Sequence, residues 1–442
     1  MTADVRARTA AHAAPPTSRI EAYRLGAVDA YAVGGPRKRV AALRLFWDGG
    51  VATEPPRMLG AQAVATHALA LSAAADGPAP LAECLESLGV TLAAGATETS
   101  SHLDLRGLRE ALPSALRMVL AALRRPHVEE HAFQAALATV RHLYSRRHQD
   151  THARAVDALR VAHCGPRSGL ARTSEDVLAA LAGLCRVDVQ RVAGGMAHRH
   201  LHAVVVGDRP EPYLAELATW APASSGGASW PPVTRRDHGD GDAGHDPLLA
   251  HDPPAQVTVA APAPRQAGLL WGAVVPIDGP GDQAVLDLAT HALGGWSGAR
   301  WHRLLREELG LTYGTSVSVT TVRYAGQTLA VPRVFLSVVP STLAPTARLL
   351  HQQAAELRRH PLDAEELARA ATHLVRTEAF YGDTARKLMD RTAPFLQAGL
   401  GPDFAGARLR ELRTVDAGRV AERLATLLCS PTLVVVSEGA AP

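Results

Sequence analysis

Aromatic residues are scarce in this sequence, 4% of 442 positions, and cysteine is scarcer, with four. Cys84, Cys164, Cys185 and Cys429 form no C-x-x-C pair, which argues against a zinc knuckle or a disulfide framework and fits a reducing compartment. Charge of one sign is lacking too: 46 basic against 43 acidic residues leave a formal +3. Without a lysine run interleaved with aromatics there is no footprint for nucleic acid. No apolar stretch reaches membrane-spanning length without charge, and the arginine-bearing N-terminus has no apolar run of signal-peptide length. These absences lead to the expectation of a cytoplasmic protein that binds neither nucleic acid nor membrane.

What is present is length and apolar content. A chain of 442 residues, 47% of them hydrophobic, exceeds one ordinary domain and can bury two cores. One stretch, Ala223 to Pro254, is dense in Gly, Pro, Ser and Asp and has no periodicity, so it reads as a linker. Its Asp and His residues lack the closing Glu of a calcium loop. The expected layout is a loose tail at 1–20, a first domain at 21–222, a linker at 223–254 and a second domain at 255–442.

The two halves repeat each other. Leu112-Pro-Ser-Ala-Leu-Arg117, Arg124-Arg125-Pro126 and Glu129-Glu130 correspond in order to Leu343-Ala-Pro-Thr-Ala-Arg348, Arg358-Arg359-His360-Pro361 and Glu365-Glu366. A helix, a turn and a second helix with acidic residues in its first turn explain both copies, and Asp363 and Glu366 have capping-box spacing. Apolar or β-branched runs predict strands at 40–47, 201–206, 268–276, 313–322, 334–339 and 433–437. Helical periodicity covers 112–123, 129–146, 345–359 and 364–380. The fold class is therefore α+β, a sheet-plus-helices domain duplicated in tandem, its two lobes enclosing a chamber.

The stretch from His291 predicts a helix ending near Glu308, a left-handed turn at Gly310 and a following strand. That places Arg306 in the last helical turn and Tyr313 at the strand start, where both could donate hydrogen bonds to one carbonyl oxygen. Spacing alone favours the plainer reading, in which Arg306 pairs with a nearby carboxylate and Tyr313 simply packs.

The same stretch resembles the second-domain signature of the pitrilysin/insulinase family of zinc peptidases. The matching residues are Gly294, Gly295, Ser297, Arg300, Leu305, Arg306, Glu307, Gly310, Leu311 and Tyr313. The resemblance extends to the first half through Asp48-Gly-Gly-Val-Ala-Thr-Glu-Pro-Pro56, Ala171-Arg-Thr-Ser-Glu-Asp176 and Val204 to Asp208. It implies that Arg306 and Tyr313 bind the substrate backbone and steady the tetrahedral intermediate. It also shows where this chain departs. The family's zinc motif, G-x-A-H-x-x-E-H, corresponds here to Gly60-Ala-Gln-Ala-Val-Ala-Thr-His67, with Ala63 and Thr66 in place of the first histidine and the glutamate, and only His67 kept. No glutamate lies between His131 and Ser174, where the third ligand would fall. His127-Val-Glu-Glu-His131 matches H-x-x-E-H in its letters, yet the repeat aligns it with the plain helix start at Leu362 to Leu367.

The resemblance thus implies the non-catalytic Arg/Tyr subunit of a heterodimeric bacterial peptidase. It would be inactive alone, with no metal or cofactor of its own. Zinc would sit on a homologous partner with an intact H-x-x-E-H motif, and a peptide or leader peptide would be the substrate. The alternatives are a structural subunit of the same fold, or a lone zinc peptidase using His127 and His131.

Overall fold

A computed structural model describes residues 20–35, 39–74, 77–220, 252–261, 266–414, 417–427 and 431–438. The expected tail and nearly all of the expected linker lie outside the described residues. The strands of the first lobe are β1 (Ile20–Leu25), β2 (Val28–Gly34), β3 (Val40–Asp48), β4 (Thr91–Ala96), β5 (Ser100–Leu108) and β6 (Leu201–Gly207). Those of the second are β7 (Gln256–Ala261), β8 (Ala267–Gly272), β9 (Val275–Pro276), β10 (Thr315–Tyr324), β11 (Gln327–Val338) and β12 (Thr432–Glu438).

The duplication is visible in the sheets. The first runs β1-β2-β6-β3-β5-β4 and the second β7-β12-β8-β11-β10. From β2 onward the orders correspond strand for strand, and so do the directions. β2 with β6 and β7 with β12 are parallel pairs, while every other neighbouring pair in the shared order is antiparallel. Among the described residues, strand β1 has no counterpart in the second sheet. The repeated helix pair is present as Leu112–Arg124 and Glu130–Gln149, then as Leu343–Arg359 and Ala364–Thr377. Asp363 and Glu366 form the expected capping box.

Each sheet carries its own helices on one face and a helix of the other lobe on the opposite face. Thr151–Cys164, capped by Asp150 accepting from Ala153 N at 2.7 Å, lays Ala155, Leu159 and Cys164 against Leu270, Val434 and Val436 of the second sheet. Ala385–Gln397, capped by Thr384, lays Leu388, Met389 and Leu396 against Ala42, Phe46 and Val204 of the first. Each such fully buried Leu or Met contributes about 1.5–3 kcal/mol to holding the lobes together. This exchange explains why Val-Ala-Ala-Leu-Arg-Leu-Phe-Trp in β3 does not alternate: both of its faces are covered. The interruption, Arg44, is neutralised by a bidentate pair with Asp104 on β5, at 2.6 and 2.7 Å. Between the lobes remains a cavity of about 270 Å³, lined in part by Glu98, Arg147, Arg160 and Arg333.

Boundaries shift where tertiary contacts decide them. The run 268–276 breaks into β8 and the short β9, β10 begins at Thr315 rather than Tyr313, and β11 starts at Gln327. Among the described residues no helix is long and apolar enough to cross a membrane.

Candidate functional site

The helix Ala61–Leu71 carries Ala63, Thr66 and His67, the positions that the resemblance aligns with the zinc motif. The chain reaches it through Asp48-Gly49-Gly50. A side chain at Gly50 would lie 2.3 Å from the Thr97 carbonyl oxygen, so only glycine allows that close approach. Glu54 then turns back under the helix. Its carboxyl accepts from the backbone N–H groups of Gly60 at 2.5 Å and Gln62 at 2.6 Å, capping two donors that the helix leaves open. Burial raises the Glu54 pKa to about 7, against the pull of those two donors and of Arg199. The glutamate of the Glu-Pro turn is thus a buried cap, a role that the resemblance alone does not show.

Ala63 and Thr66 are buried, and the Thr66 hydroxyl donates to the Gln62 carbonyl oxygen of the preceding turn. His67 Nδ1 donates to the Ala63 carbonyl oxygen at 2.9 Å, and burial lowers its pKa. In the neighbouring helix Glu130–Gln149 the one carboxylate is Glu130, in the first turn and paired with Arg186 at 3.2 Å. Among the described residues no group of three ligating side chains forms around His67. These positions offer a single imidazole nitrogen, too few for a catalytic zinc ion.

The letter-for-letter match at His127 fails on geometry. Glu129 is the N-cap of Glu130–Gln149, so His127 lies before the helix and His131 in its first turn. The two imidazoles are therefore not stacked one helical turn apart, and His131 pairs with Glu129 at 3.2 Å.

The Arg306 and Tyr313 segment is built quite differently. Arg300–His302 continues as a π-helix, Arg303–Glu308, a wide turn often found at functional sites. Trp301 and Leu305 are fully buried and anchor its inner side, with Trp301 edge-on to Trp271 at 5.2 Å. Gly310 ends it with φ of +61°, the expected left-handed conformation. Arg300 ties the segment to the helix-turn-helix below. It is bidentate to Glu366 at 2.8 and 2.5 Å and donates to the carbonyl oxygens of His360 and Pro361.

Arg306 itself is exposed and forms no ion pair among the described residues. Its Nη1 lies 3.4 Å from His302 Nε2, a buried histidine that spacing did not single out. A chain of donors fixes that imidazole. The Thr315 hydroxyl donates to the Gly294 carbonyl oxygen at 2.6 Å, so His302 Nδ1, 3.1 Å from the same hydroxyl oxygen, must be the donor. Nε2 is left as the acceptor facing Arg306. His302 precedes Arg306 by four residues, a helical spacing that the sequence displays. Tyr313 is 89% exposed and makes no hydrogen bond with Arg306.

Residues 225–374 match the family model of the peptidase M16 inactive domain. No curated protein matches the chain. Among solved structures, a peptidase M16 inactive domain from Pseudomonas fluorescens shares 16% identity at a TM-score of 0.72, over 96% of this chain and 98% of that one. A protease from Helicobacter pylori shares 12% at 0.78, over 95% and 99%. A chain of complex III2 from Candida albicans shares 11% at 0.70, over 95% of each. Residues 225–374 thus resemble a peptidase M16 inactive domain, and the chain shares the fold of these solved structures over nearly its whole length.

Proposed function

We propose that this chain is the substrate-gripping subunit of a heterodimeric zinc peptidase, lending Arg306 and Tyr313 to the zinc site of a homologous catalytic partner. The observation that carries this reading is the state of those two side chains. A guanidinium without a carboxylate and a phenol 89% exposed are uncommitted donors on a segment whose inner side is fully anchored. Pairing with an imidazole nitrogen instead of a carboxylate orients Arg306 without cancelling its charge. Such donors, aimed at the oxygen of a scissile carbonyl, stabilise the charge that develops on it. The sealed helix Ala61–Leu71 supports the complementary half of the reading, in which zinc, the general base and the attacking water come from the partner. The substrate is an extended peptide or leader peptide, and the assembly works in the reducing cytoplasm.

A structural subunit of the same fold is the second reading, favoured by the likeness to a chain of complex III2. Reconstitution with the catalytic partner separates the two. Arg306→Ala and Tyr313→Phe chains that assemble but cleave slowly support the first, and assembly with cleavage at the wild-type rate establishes the second.

A further inference from the structure

The first sheet carries a cluster of ligating side chains away from the degenerate motif. Strand β6 is preceded by His200, and His202 is its second residue. Alternate residues share a face, so both imidazoles lie on the side of Val204 and Val206, which receives Ala385–Gln397. On the neighbouring parallel strand Asp29 stands directly opposite His202 in the register. His200 Nε2 lies 2.8 Å from Asp29 Oδ2, and His202 Nδ1 lies 4.0 Å from the same oxygen. The three ligand atoms fall within 4.8 Å of one another. Ligands around a tetrahedral zinc ion with bonds of about 2.0–2.1 Å stand roughly 3.4 Å apart, so closure needs only small side-chain rotations.

The surroundings resemble a prepared site. His202 Nδ1 is buried without a hydrogen-bond partner, while its Nε2 faces Asp48 Oδ2 at 3.9 Å. One ring nitrogen free for an ion and the other directed at a carboxylate is the arrangement that orients metal-bound histidines. The ring is held by stacking on Phe46, with centroids 4.7 Å apart. Arg24 occupies Asp29 Oδ1 at 2.7 Å and leaves Oδ2 to face the imidazoles. All three residues are partly exposed, so an ion has a path in.

We propose that Asp29 Oδ2, His200 Nε2 and His202 Nδ1 form a binding site for a divalent ion of the zinc class, with its fourth position open to water. Two imidazoles and one carboxylate suit zinc, cobalt or nickel, whereas calcium and magnesium demand oxygen ligands. The site is separate from His67, and it does not depend on the peptidase reading. It joins β2 to β6 beside the seat of the second lobe's helix, so its occupancy stabilises the folded chain.

The test uses the full chain without a polyhistidine tag, stripped with a chelator and titrated calorimetrically with Zn²⁺. One equivalent is expected to bind and to raise the melting temperature, and Co²⁺ is expected to give the visible absorption of a low-symmetry site. His200→Ala, His202→Ala and Asp29→Asn are each expected to weaken binding by more than about tenfold, while His67→Ala and His131→Ala bind as the wild type does. Circular dichroism checks each fold, and the isosteric Asp29→Asn decides the matter should a histidine variant fail to fold. Absence of saturable binding, binding that survives these substitutions, or binding lost with His67 would overturn the assignment.

Discussion

The helix Ala61–Leu71 and the segment Arg300–Tyr313 sit in corresponding halves of a duplicated fold, yet they treat polar side chains in opposite ways. Around the first, Glu54, Thr66 and His67 are turned inward and bonded within the chain: Glu54 caps the helix, Thr66 bonds the preceding turn, and His67 donates to Ala63, while the Gln62 amide nitrogen is buried without a partner. Around the second, Arg306 and Tyr313 are left to solvent while the residues behind them are locked by Trp301, Leu305 and Arg300. Inward-facing, hydrogen-bonded polar groups add to the stability of the first helix. A segment that keeps its donors exposed forgoes that gain. Under the proposed function, these exposed donors on an anchored segment are held ready for a ligand.

The largest expected effect breaks the comparison on its open side. In the reconstituted pair, Arg306→Ala is expected to cost at least about 3 kcal/mol in transition-state stabilisation, roughly a hundredfold in turnover. Tyr313→Phe removes one donor and is expected to cost about the same. Steady-state cleavage with assembly followed by gel filtration checks both. Neither substitution is expected to move the unfolding midpoint, because neither side chain is buried.

On the sealed side, the effect is on stability and depends on pH. The Glu54 carboxyl titrates near about 7 in the folded chain against 4.5 for an ordinary glutamate. The folded state therefore holds this proton more tightly than the unfolded state. The stabilisation is complete below about pH 4.5 and is lost as pH rises through about 7, a swing of roughly 3 kcal/mol. The stability of the wild type minus that of Glu54→Gln, from urea unfolding at several pH values, is expected to fall across that window. A difference independent of pH would show that the carboxyl is not buried as described.

A smaller effect is expected at the mount. Arg300→Lys keeps the charge but cannot reproduce the fork to Glu366 or both bonds to the carbonyl oxygens of the 360–361 turn. A loss of about 1–2 kcal/mol in unfolding is expected, together with slower cleavage because Arg306 loses its support. Unchanged stability would place the rigidity of the segment in Trp301 and Leu305 alone. At the bottom of the scale, His127→Ala and His131→Ala are expected to alter neither assembly nor cleavage, since no helical turn presents the two imidazoles together.

Much of this was legible in the sequence, and for identifiable reasons. The duplicated helix pair could be read because Arg-Arg-Pro and Arg-Arg-His-Pro punctuate two helices at spacings that match to within a few residues, and the left-handed Gly310 because a glycine stands just past the end of the helix. The start of β10 was read two residues early because Tyr313 is as good a strand former as Thr315. What ends the turn is the bond of Thr312 to the Ser337 carbonyl oxygen, a contact across the sheet. His302 was missed although its helical spacing to Arg306 was in view, because its role depends on Thr315 and Gly294.

The sequence by itself determined the repeat, the residues Ala63, Thr66 and His67 on one helix, and the spacing of Arg306 and Tyr313. These are matters of order along the chain, and local rules of period, turn and cap translate order into local geometry. Only the tertiary structure decided that each lobe lends a helix to the other's sheet. It alone placed Glu54 under the helix Ala61–Leu71, left Tyr313 in solvent, and set Asp29 opposite His202. Those outcomes depend on which of two faces a strand turns toward which neighbour. That choice is made by the burial of apolar surface between residues far apart in sequence, and no local pattern contains it.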